Sequence, residues 1–327
     1  MRYLLICILL LVPYLSWGRD NDIAFFRYYY DELDLPQTTI LKIDQDSKGY
    51  IWLTTSRGVY RFDGNEAVAL SEICPEAHSL FDIHTSWIMI DKNDKLWMGN
   101  GYIYDLNEGK LYKNSVIEGN LVDAPVLEDS GCVWFNCYDK FVRYDSKTNE
   151  VCSVNAAVGT GFTKSEHYVW GVENARELVR MYWADNNISF VKYSLPQGIA
   201  NDISVLYAVS DYELLIGTKS KGLWIYDVRL MNSRQIFQES YIRDILCFSP
   251  SVYWVATENG IYMYNMDKNE IRHWGKDPHD IYAIQDHVIY TFFKDAEGGV
   301  WCGSYFRGLS YVPNALCNFN LSFASKV

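Results

Sequence analysis

The chain has 327 residues, of which 49% are hydrophobic and 16% aromatic, so it can bury a large core. Its formal net charge of −12, with no basic run, excludes nucleic acid and anionic membrane surfaces as expected partners. Beyond the N-terminal segment, no apolar run approaches the roughly 18 residues of a membrane-spanning helix.

The first 18 residues have the features of a secretory signal peptide. Met1 and Arg2 precede an apolar run over residues 3–15, and Ser16-Trp17-Gly18 supplies the small residues of a cleavage site. We therefore predict a signal peptide over residues 1–18 and a periplasmic or secreted mature chain. An uncleaved N-terminal anchor is the alternative, and it would be the chain's only contact with a membrane.

A short apolar segment precedes the repetitive part of the chain. Residues 24–30 combine Phe, Arg and Tyr in a pattern that predicts one isolated strand. Without a partner of its own, this strand would have to pair with the far end of the chain.

The rest of the chain is built from one repeated unit. Residues 46–63 contain a turn with Asp46 and Gly49, a strand with Trp52, a link ending at Gly58, and a strand ending in Phe62-Asp63. Six further copies follow, with Asp94, Asp129 and Asp295 assigned as the turn aspartates of the better conserved ones. The seven buried anchors that we assign are Trp52, Trp97, Trp134, Trp170, Leu215, Trp254 and Trp301.

The anchors recur about every 41 residues, which is typical of a four-stranded propeller blade. Apolar runs are short, rich in Ile, Val, Tyr and Trp, and interrupted by Gly, Asn and Asp, so they predict strands rather than helices. We predict an all-β, seven-bladed β-propeller over residues 19–313, followed by a C-terminal tail over residues 314–327. The strand at 24–30 would become the outer strand of the last blade and close the ring. The innermost strands are predicted to begin near Ile40 and at residues 86–91, 124–128, 161–166, 205–209, 242–248 and 289–294.

The pattern Asp-x-x-Gly-x-x-Trp, followed by Gly and Tyr-Asp, resembles the two-component regulator propeller repeat. The start of the chain, Phe26-Arg27-Tyr28-Tyr29 followed by Leu35-Pro36-Gln37, also resembles the start of such sensors. The resemblance implies a periplasmic sensor propeller of a hybrid two-component system. Members of the family continue into a second propeller, a β-sandwich, a membrane span and a kinase. These parts are not in this sequence, so the resemblance implies either a stand-alone relative or a truncated sensor, and no kinase activity is inferred.

Candidate ligand contacts lie in the links between the second and third strands of each blade, which emerge at one end of the ring. These links mix aromatic residues, Arg, Lys and amides, which are the groups that recognise sugars. The candidates are Arg57, Asn100, Tyr138, Lys140, Lys221, Asn259, Tyr305 and Arg307. The resemblance implies an oligosaccharide or small polar ligand, with another receptor domain or a sensor kinase as further partners.

Catalysis is the competing interpretation. Sialidase-type propellers have similar Asp turns, but Asp46, Asp129 and Asp295 are expected to bond to backbone N–H groups in turns. A glycosidase needs two carboxylates at a defined separation, and no pair outside the repeats stands out. We predict a non-catalytic binding protein without cofactor or metal; a propeller glycosidase or lyase, or an inactive fragment, remain the alternatives.

The cysteines give no redox or metal motif. Eight are present, seven of them after residue 18, and none has C-x-x-C spacing. We expect Cys132 and Cys137 to lie on one strand, too far apart to be bridged. Buried free thiols are predicted, with one or two long-range disulfides left open.

Overall fold

The computed structural model describes residues 25–29, 35, 38–80, 85–114, 127–129, 131–137, 140–156, 158–196, 198–239 and 241–314. Within these residues, 28 strands form seven four-stranded antiparallel sheets. The all-β, seven-bladed propeller predicted from the repeats is confirmed. The predicted signal peptide at 1–18 and residues 315–327 of the predicted tail lie outside the described residues.

The blades are numbered in chain order, and each contains four consecutive strands from the innermost to the outermost. Blade 1 consists of β2 (Lys42–Gln45), β3 (Ile51–Thr55), β4 (Gly58–Phe62) and β5 (Ala67–Ala69). Blade 2 consists of β6 (Ile88–Ile90), β7 (Lys95–Met98), β8 (Tyr102–Asp105) and β9 (Lys110–Lys113). Blade 3 consists of β10 (Leu127–Asp129), β11 (Cys132–Cys137), β12 (Lys140–Asp145) and β13 (Val151–Asn155). Blade 4 consists of β14 (Val158–Lys164), β15 (Val169–Glu173), β16 (Glu177–Ala184) and β17 (Asn187–Ser194).

The remaining three blades follow the same order, except that the outer strand of the last one comes from the start of the chain. Blade 5 consists of β18 (Ile203–Ala208), β19 (Glu213–Thr218), β20 (Leu223–Asp227) and β21 (Asn232–Phe237). Blade 6 consists of β22 (Asp244–Ser249), β23 (Val252–Thr257), β24 (Gly260–Asn265) and β25 (Glu270–Trp274). Blade 7 consists of β26 (Ile289–Lys294), β27 (Val300–Ser304), β28 (Leu309–Val312) and β1 (Arg27–Tyr28).

Two short helical segments lie between blades 1 and 2, namely α1 (Leu70–Ile73) and the 3-10 helix at Pro75–Leu80. No helix in the described part of the chain is long and apolar enough to cross a membrane.

Burial explains the radial order of the strands. The second strands of blades 1, 4 and 7 are buried along their whole length because a neighbouring blade covers each face. The outermost strand of blade 3 alternates between exposed and half-buried residues. The first strand of blade 1 contacts the first strands of blades 7 and 2, and those of blades 3 to 7 contact one another in sequence. The seven assigned anchors are all buried, so the apolar core lies between blades.

The ring is closed by the N-terminal segment, as predicted. β1 pairs antiparallel with β28, with Arg27 opposite Tyr311, and the backbone N–H of Tyr29 donates to the carbonyl of Leu309 at 3.0 Å. The buried Tyr29 ring packs against Phe62 of blade 1 and Trp301 of blade 7 at centroid distances of 5.2 and 5.5 Å. The segment therefore joins the last blade to the first through both backbone and core.

The inner strands of blades 2, 5, 6 and 7 overlap the predicted segments; in blade 3, residues 124–126 of the prediction lie outside the described residues, and blade 4 differs. The strand predicted at 289–294 has those bounds, whereas the one predicted at 161–166 begins at Val158 and contains two register shifts. Gly161, with a φ of +68°, lies at this irregularity, and a Cβ there would be 3.0 Å from the backbone nitrogen of Leu206 in blade 5. A close approach between blades therefore interrupts the repeat pattern at this point.

One turn assignment was wrong. In blade 2 the residue equivalent to Asp46 is Asp91, because its carboxylate accepts the Trp97 indole N–H at 2.9 Å. Asp94 instead occupies the place of Gly49, with a φ of +56° against +90°. Aspartate tolerates this left-handed conformation better than most residues, so the turn survives without its glycine.

The cysteines follow the expected pattern in the described part of the chain. Cys74, Cys152 and Cys247 are free thiols, and Cys74 is buried, as are Cys132 and Cys302. Cys132 and Cys137 are the two ends of β11, as predicted.

Candidate functional site

Each antiparallel blade sends two kinds of chain segment to one face of the ring. These are the link between its second and third strands and the segment that leads into its first strand. We call this face the mouth. Direct bonds confirm that both kinds of segment meet there: the backbone N–H of Tyr305 donates to the Val288 carbonyl at 3.0 Å, and Thr39 Oγ1 donates to the Tyr305 carbonyl at 2.8 Å.

Seven of the eight sequence candidates are described by the structure; they lie around this mouth but do not form one site. Arg57 and Asn100 border a cleft between blades 1 and 2. The Lys221 ammonium donates to the Gly198 carbonyl, and the Asn259 amide donates to Glu239 at 3.3 Å, so these two side chains have partners within the protein.

The other four candidates also differ from one another in their surroundings. Lys140 is exposed at the start of β12, and Tyr138 lies outside the described residues. The backbone N–H of Arg307 donates to Ser304 Oγ at 3.1 Å. Tyr305 is the candidate that the structure places in a larger array of side chains, and whether any of the eight binds a ligand stays a prediction.

That array is a run of stacked rings across blades 6 and 7, which we call the mouth platform: Tyr241, Arg243, Tyr290, Tyr305 and Phe306. The Arg243 guanidinium lies 3.6 Å from the Tyr241 ring centroid and 4.5 Å from that of Tyr290. Tyr290 stacks on Tyr305 at 5.5 Å, and Tyr305 meets the edge of Phe306 at 4.5 Å. At its outer end the platform is open to solvent, since Tyr305 and Phe306 are 39% and 60% exposed.

The backbone around the exposed rings is held by a buried carboxylate. Asp286 is only 3% exposed, and its two oxygens accept the backbone N–H groups of Val288 at 3.3 Å and Phe306 at 2.6 Å. Together with the two backbone hydrogen bonds of Tyr305, these contacts hold the backbone in place around the Tyr305 side chain. The exposed rings of the platform are therefore held in place by the protein itself.

The inner end of the platform carries a cation and an anion. Arg243 forms an ion pair with Glu258, and the Arg243 side chain is only 20% exposed. Its Nε is buried and has no hydrogen-bond partner within the described structure. Tyr241, beneath the guanidinium, has a φ of +40°, an uncommon value for a bulky residue. The local backbone is thus strained in the conformation that places this ring against Arg243.

Sequence reasoning missed Arg243 and Tyr290 because it drew candidates from the second-to-third links alone. Both residues occupy the same repeat position, at the start of the first strand or just before it, where blades 1, 2 and 5 carry Leu41, Ser86 and Ser204. At Tyr290 the strand contains a register shift, and such a bulge redirects a side chain. A bulky residue at this repeat position was the signal available in the sequence.

A second polar cluster lies on the opposite face, between blades 4 and 5. Ligand atoms of Glu166, His167 and Asp211 lie within 4.8 Å of one another. His167 Nδ1 is 2.6 Å from Asp211 Oδ2, and its backbone N–H donates to Asp211 Oδ1 at 3.1 Å. This hydrogen bond, with the attraction of the carboxylate, raises the pKa of His167 above its ordinary value. The cluster is accounted for as an ion pair between blades.

No protein-family model matches the chain, and no curated protein matches it. Solved structures do match. The extracellular domain of a proposed hybrid two component system from B. thetaiotaomicron aligns with a TM-score of 0.71 at 18% identity, covering 88% of this chain and 40% of that one. A second such domain from the same organism gives 0.70 at 18% identity, covering 88% and 42%.

More distant matches have other activities. A virginiamycin B lyase from Staphylococcus aureus gives a TM-score of 0.64 at 12% identity, covering 88% of this chain and 99% of that one. At these identities the comparisons establish a shared fold, and they confirm the likeness to extracellular sensor propellers that the repeat motif predicted. This chain spans about two fifths of the length of the two sensor domains.

Proposed function

We propose that this chain is an extracytoplasmic sensor propeller that binds an oligosaccharide at the mouth platform and acts in two-component signalling. The observation that carries the proposal is the preorganised stack of Tyr290, Tyr305 and Phe306 beside the Arg243–Glu258 pair. The signal-peptide pattern and the likeness to extracellular domains support a location outside the cytoplasm.

The chemistry of the platform suits a sugar ring. Aromatic faces bind the C–H surface of a pyranose, and neighbouring charged and amide groups bind its hydroxyls. Tyr305 and Phe306 present such faces to solvent, and the guanidinium and carboxylate at the inner end offer donors and acceptors. A signalling role would require the ligand-bound mouth to be read by a further domain or a sensor kinase, which we propose as the partner.

The proposal is tested by titration calorimetry of the mature chain against a panel of neutral and acidic oligosaccharides. We expect at least one to bind, and Tyr305→Ala to weaken it about tenfold, which corresponds to about 1.4 kcal/mol. Tyr290→Ala should have a similar effect because it removes the ring on which Tyr305 stacks. Tyr212→Ala is the matched control: this tyrosine is 36% exposed but lies in a first-to-second link on the opposite face.

Three results would contradict the proposal. Absence of binding across the panel would exclude an oligosaccharide as the ligand. Unchanged affinity in both platform variants would show that the ligand binds at another place. Chromatography of the titrated glycan provides the third test. If the wild-type chain cleaves the glycan and Glu258→Gln does not, the protein is a glycan-active enzyme. This is the alternative function, and the structural match to a lyase is the reason to test it.

A further inference from the structure

A guanidinium enclosed by aromatic rings lies between blades 4 and 5, away from the mouth platform. Arg180, on the third strand of blade 4, lies 4.3 Å from the Tyr168 ring centroid and 5.4 Å from that of Tyr193. Trp170 and, from the first-to-second link of blade 5, Tyr212 complete the enclosure at 5.8 and 5.9 Å. We call these five side chains the Arg180 cage. Contacts of this kind hold the cation in place without using its N–H groups as hydrogen-bond donors.

The caged guanidinium has no anionic partner. Arg180 is half-buried, yet it forms no hydrogen bond and no ion pair with any residue that the structure describes. The carboxylates of the neighbouring segments are engaged elsewhere, since Asp211 is paired with His167 and Asp227 with Arg229. A guanidinium held partly out of water without an acceptor is unfavourable, so an anion that reaches it gains a charge-assisted hydrogen bond without breaking one inside the protein.

One edge of the Arg180 guanidinium is open. Its Nε is sealed from solvent, whereas both terminal nitrogens reach solvent. Because the rings lie against the faces of the guanidinium, an acceptor has to approach at this edge. The two parallel N–H bonds of the edge match two oxygens of one oxyanion.

The cage also carries three phenol groups, those of Tyr168, Tyr193 and Tyr212, whose hydroxyls have no hydrogen bond within the described structure. Burial raises the pKa of Tyr193, Arg180 opposes this shift, and the phenols of Tyr168 and Tyr212 add to it. The three phenols are therefore close enough to interact, and Tyr193 stays protonated and able to donate at neutral pH. Tyr212 is 36% exposed, so the group can be approached from solvent.

We propose that the Arg180 cage binds a sulfate monoester group, with two oxygens on the terminal nitrogens of Arg180 and the third on a tyrosine hydroxyl, first of all that of Tyr193. A carboxylate on the guanidinium edge lies in the guanidinium plane, whereas the rings and their hydroxyls lie above and below it. A tetrahedral group therefore reaches donors that a planar group misses. Its single negative charge matches one unpaired cation. A phosphate monoester would bring about 1.5–2 negative charges at pH 7, and Glu166 and Asp211 near the cage would repel them.

The cage and the mouth platform are separate sites. Tyr212 lies in a link on the face opposite the mouth, whereas the platform lies at the mouth on blades 6 and 7. A small sulfate ester therefore reports on the cage and a neutral oligosaccharide on the platform, so either proposal can fail alone.

The test is titration calorimetry of the mature chain with phenyl sulfate at low ionic strength. We expect saturable binding that weakens about tenfold in Arg180→Gln, which removes the charge and the paired donors. Tyr193→Phe keeps the ring and loses only the hydroxyl, so it should weaken binding about threefold. Arg176→Gln is the matched control, because Arg176 is an exposed arginine in the second-to-third link of the same blade, at the mouth. It should leave the affinity unchanged.

Two further probes separate the sulfate ester from other oxyanions. Benzoate and phenyl phosphate should each bind the wild-type chain about threefold more weakly than phenyl sulfate does, and the advantage over benzoate should shrink in Tyr193→Phe. Equal or tighter binding of either probe would overturn the assignment to a sulfate ester.

Absence of saturable phenyl sulfate binding, or equal affinity of Arg180→Gln and wild type, would overturn the proposal as a whole. Arg180 also packs between rings, so the melting temperature of each variant is measured without ligand. Tyr193→Phe keeps the test decisive if Arg180→Gln does not fold. A lower melting temperature of Tyr193→Phe with unchanged affinity would show that the hydroxyl serves the fold and not a ligand.

Discussion

In blades 7, 1 and 2, which are neighbours in the ring, the anchor tryptophan donates its indole N–H to an aspartate. The distances from Nε1 to the carboxylate are 2.9 Å for Trp52, 2.9 Å for Trp97 and 3.0 Å for Trp301. Blades 4, 5 and 6 lack this bond. Trp170 donates to Ser165 Oγ at 3.3 Å, blade 5 has Leu215, and the buried Trp254 N–H has no partner within the described structure.

The two sectors show that one fold can be held in two ways. In blade 1 the other oxygen of Asp46 accepts the backbone N–H groups of Lys48 and Tyr50 at 3.0 and 2.9 Å, so turn and core form one bonded unit. In blade 6 Trp254 is held by packing: the rings of Phe248 and Trp274 both lie 5.0 Å away, and aliphatic side chains such as Met263 belong to the same cluster. The first sector therefore depends on a few polar groups, and the second depends on packing.

The largest expected effect follows from removing one carboxylate in the first sector. Asp46→Ala would leave the Trp52 N–H and two backbone N–H groups without their acceptor, and Asp46 is 8% exposed. We expect a loss of about 3–5 kcal/mol in the free energy of unfolding, measured by urea denaturation. Asp46→Asn should lose less because its amide oxygen still accepts.

Asp63→Ala is the matched control for this experiment. Its carboxylate also accepts two backbone N–H groups in a turn, from Asn65 and Glu66, but it is exposed and binds no tryptophan. We expect a loss of less than about 1 kcal/mol. Equal losses in the two variants would show that turn capping, and not the bond to the tryptophan, carries the stability of blade 1.

A smaller effect is expected from exchanging the tryptophans themselves. Trp52→Phe leaves a buried carboxylate oxygen of Asp46 without its donor, so it should cost about 3 kcal/mol. Trp254→Phe removes an N–H that has no partner within the described structure, so the only loss is the packing of the larger ring. We expect this to cost about 1 kcal/mol in the free energy of unfolding. Both residues are about equally buried, which makes the pair comparable. Equal costs in urea denaturation would contradict the distinction between the sectors.

The same distinction explains how much of the fold could be predicted. The sequence pattern is strongest where Asp, Gly and Trp must recur at fixed spacing to form the bonded turn, as at Asp46 and Asp295. Apolar packing tolerates substitution, so blade 5 keeps its place with Leu215, and blade 4 was recognised only weakly. The register shifts at Gly161 could not be predicted, because they depend on contact with blade 5.

The candidate site was less predictable than the fold. Spacing alone places Tyr305 and Arg57 at the mouth, since links between antiparallel strands alternate between the two faces. It does not show that Tyr305 stacks on Tyr290, nor that Lys221 bonds to Gly198. Those contacts depend on side-chain directions and on neighbouring blades, and neither is encoded in a single repeat.

A final difference between the sectors concerns the bonds that join neighbouring blades on the face opposite the mouth. Between blades 1 and 2, the backbone N–H of Ser47 donates to Asp94 Oδ1 at 3.0 Å, and its hydroxyl donates to the other oxygen. Between blades 4 and 5, His167 makes the corresponding pair of contacts to Asp211. A hydroxyl does not titrate near neutral pH, whereas an imidazole does, so only the second junction should respond to pH.

The smallest predicted effect is therefore a pH-dependent one. The pKa of His167 is raised by its hydrogen bond to Asp211 and by the charge of that carboxylate, so the folded state binds the proton more tightly than the unfolded chain. The stabilisation is fully present below the unfolded pKa of about 6.5 and is lost as the pH rises through the higher folded value. His167→Gln should lower the melting temperature most at about pH 6 and progressively less towards pH 9. Both partners reach solvent, so added salt should reduce the difference. Ser47→Ala is the control, and its effect on the melting temperature should be the same at every pH in this range. If the effect of His167→Gln is also independent of pH, the imidazole acts only through packing.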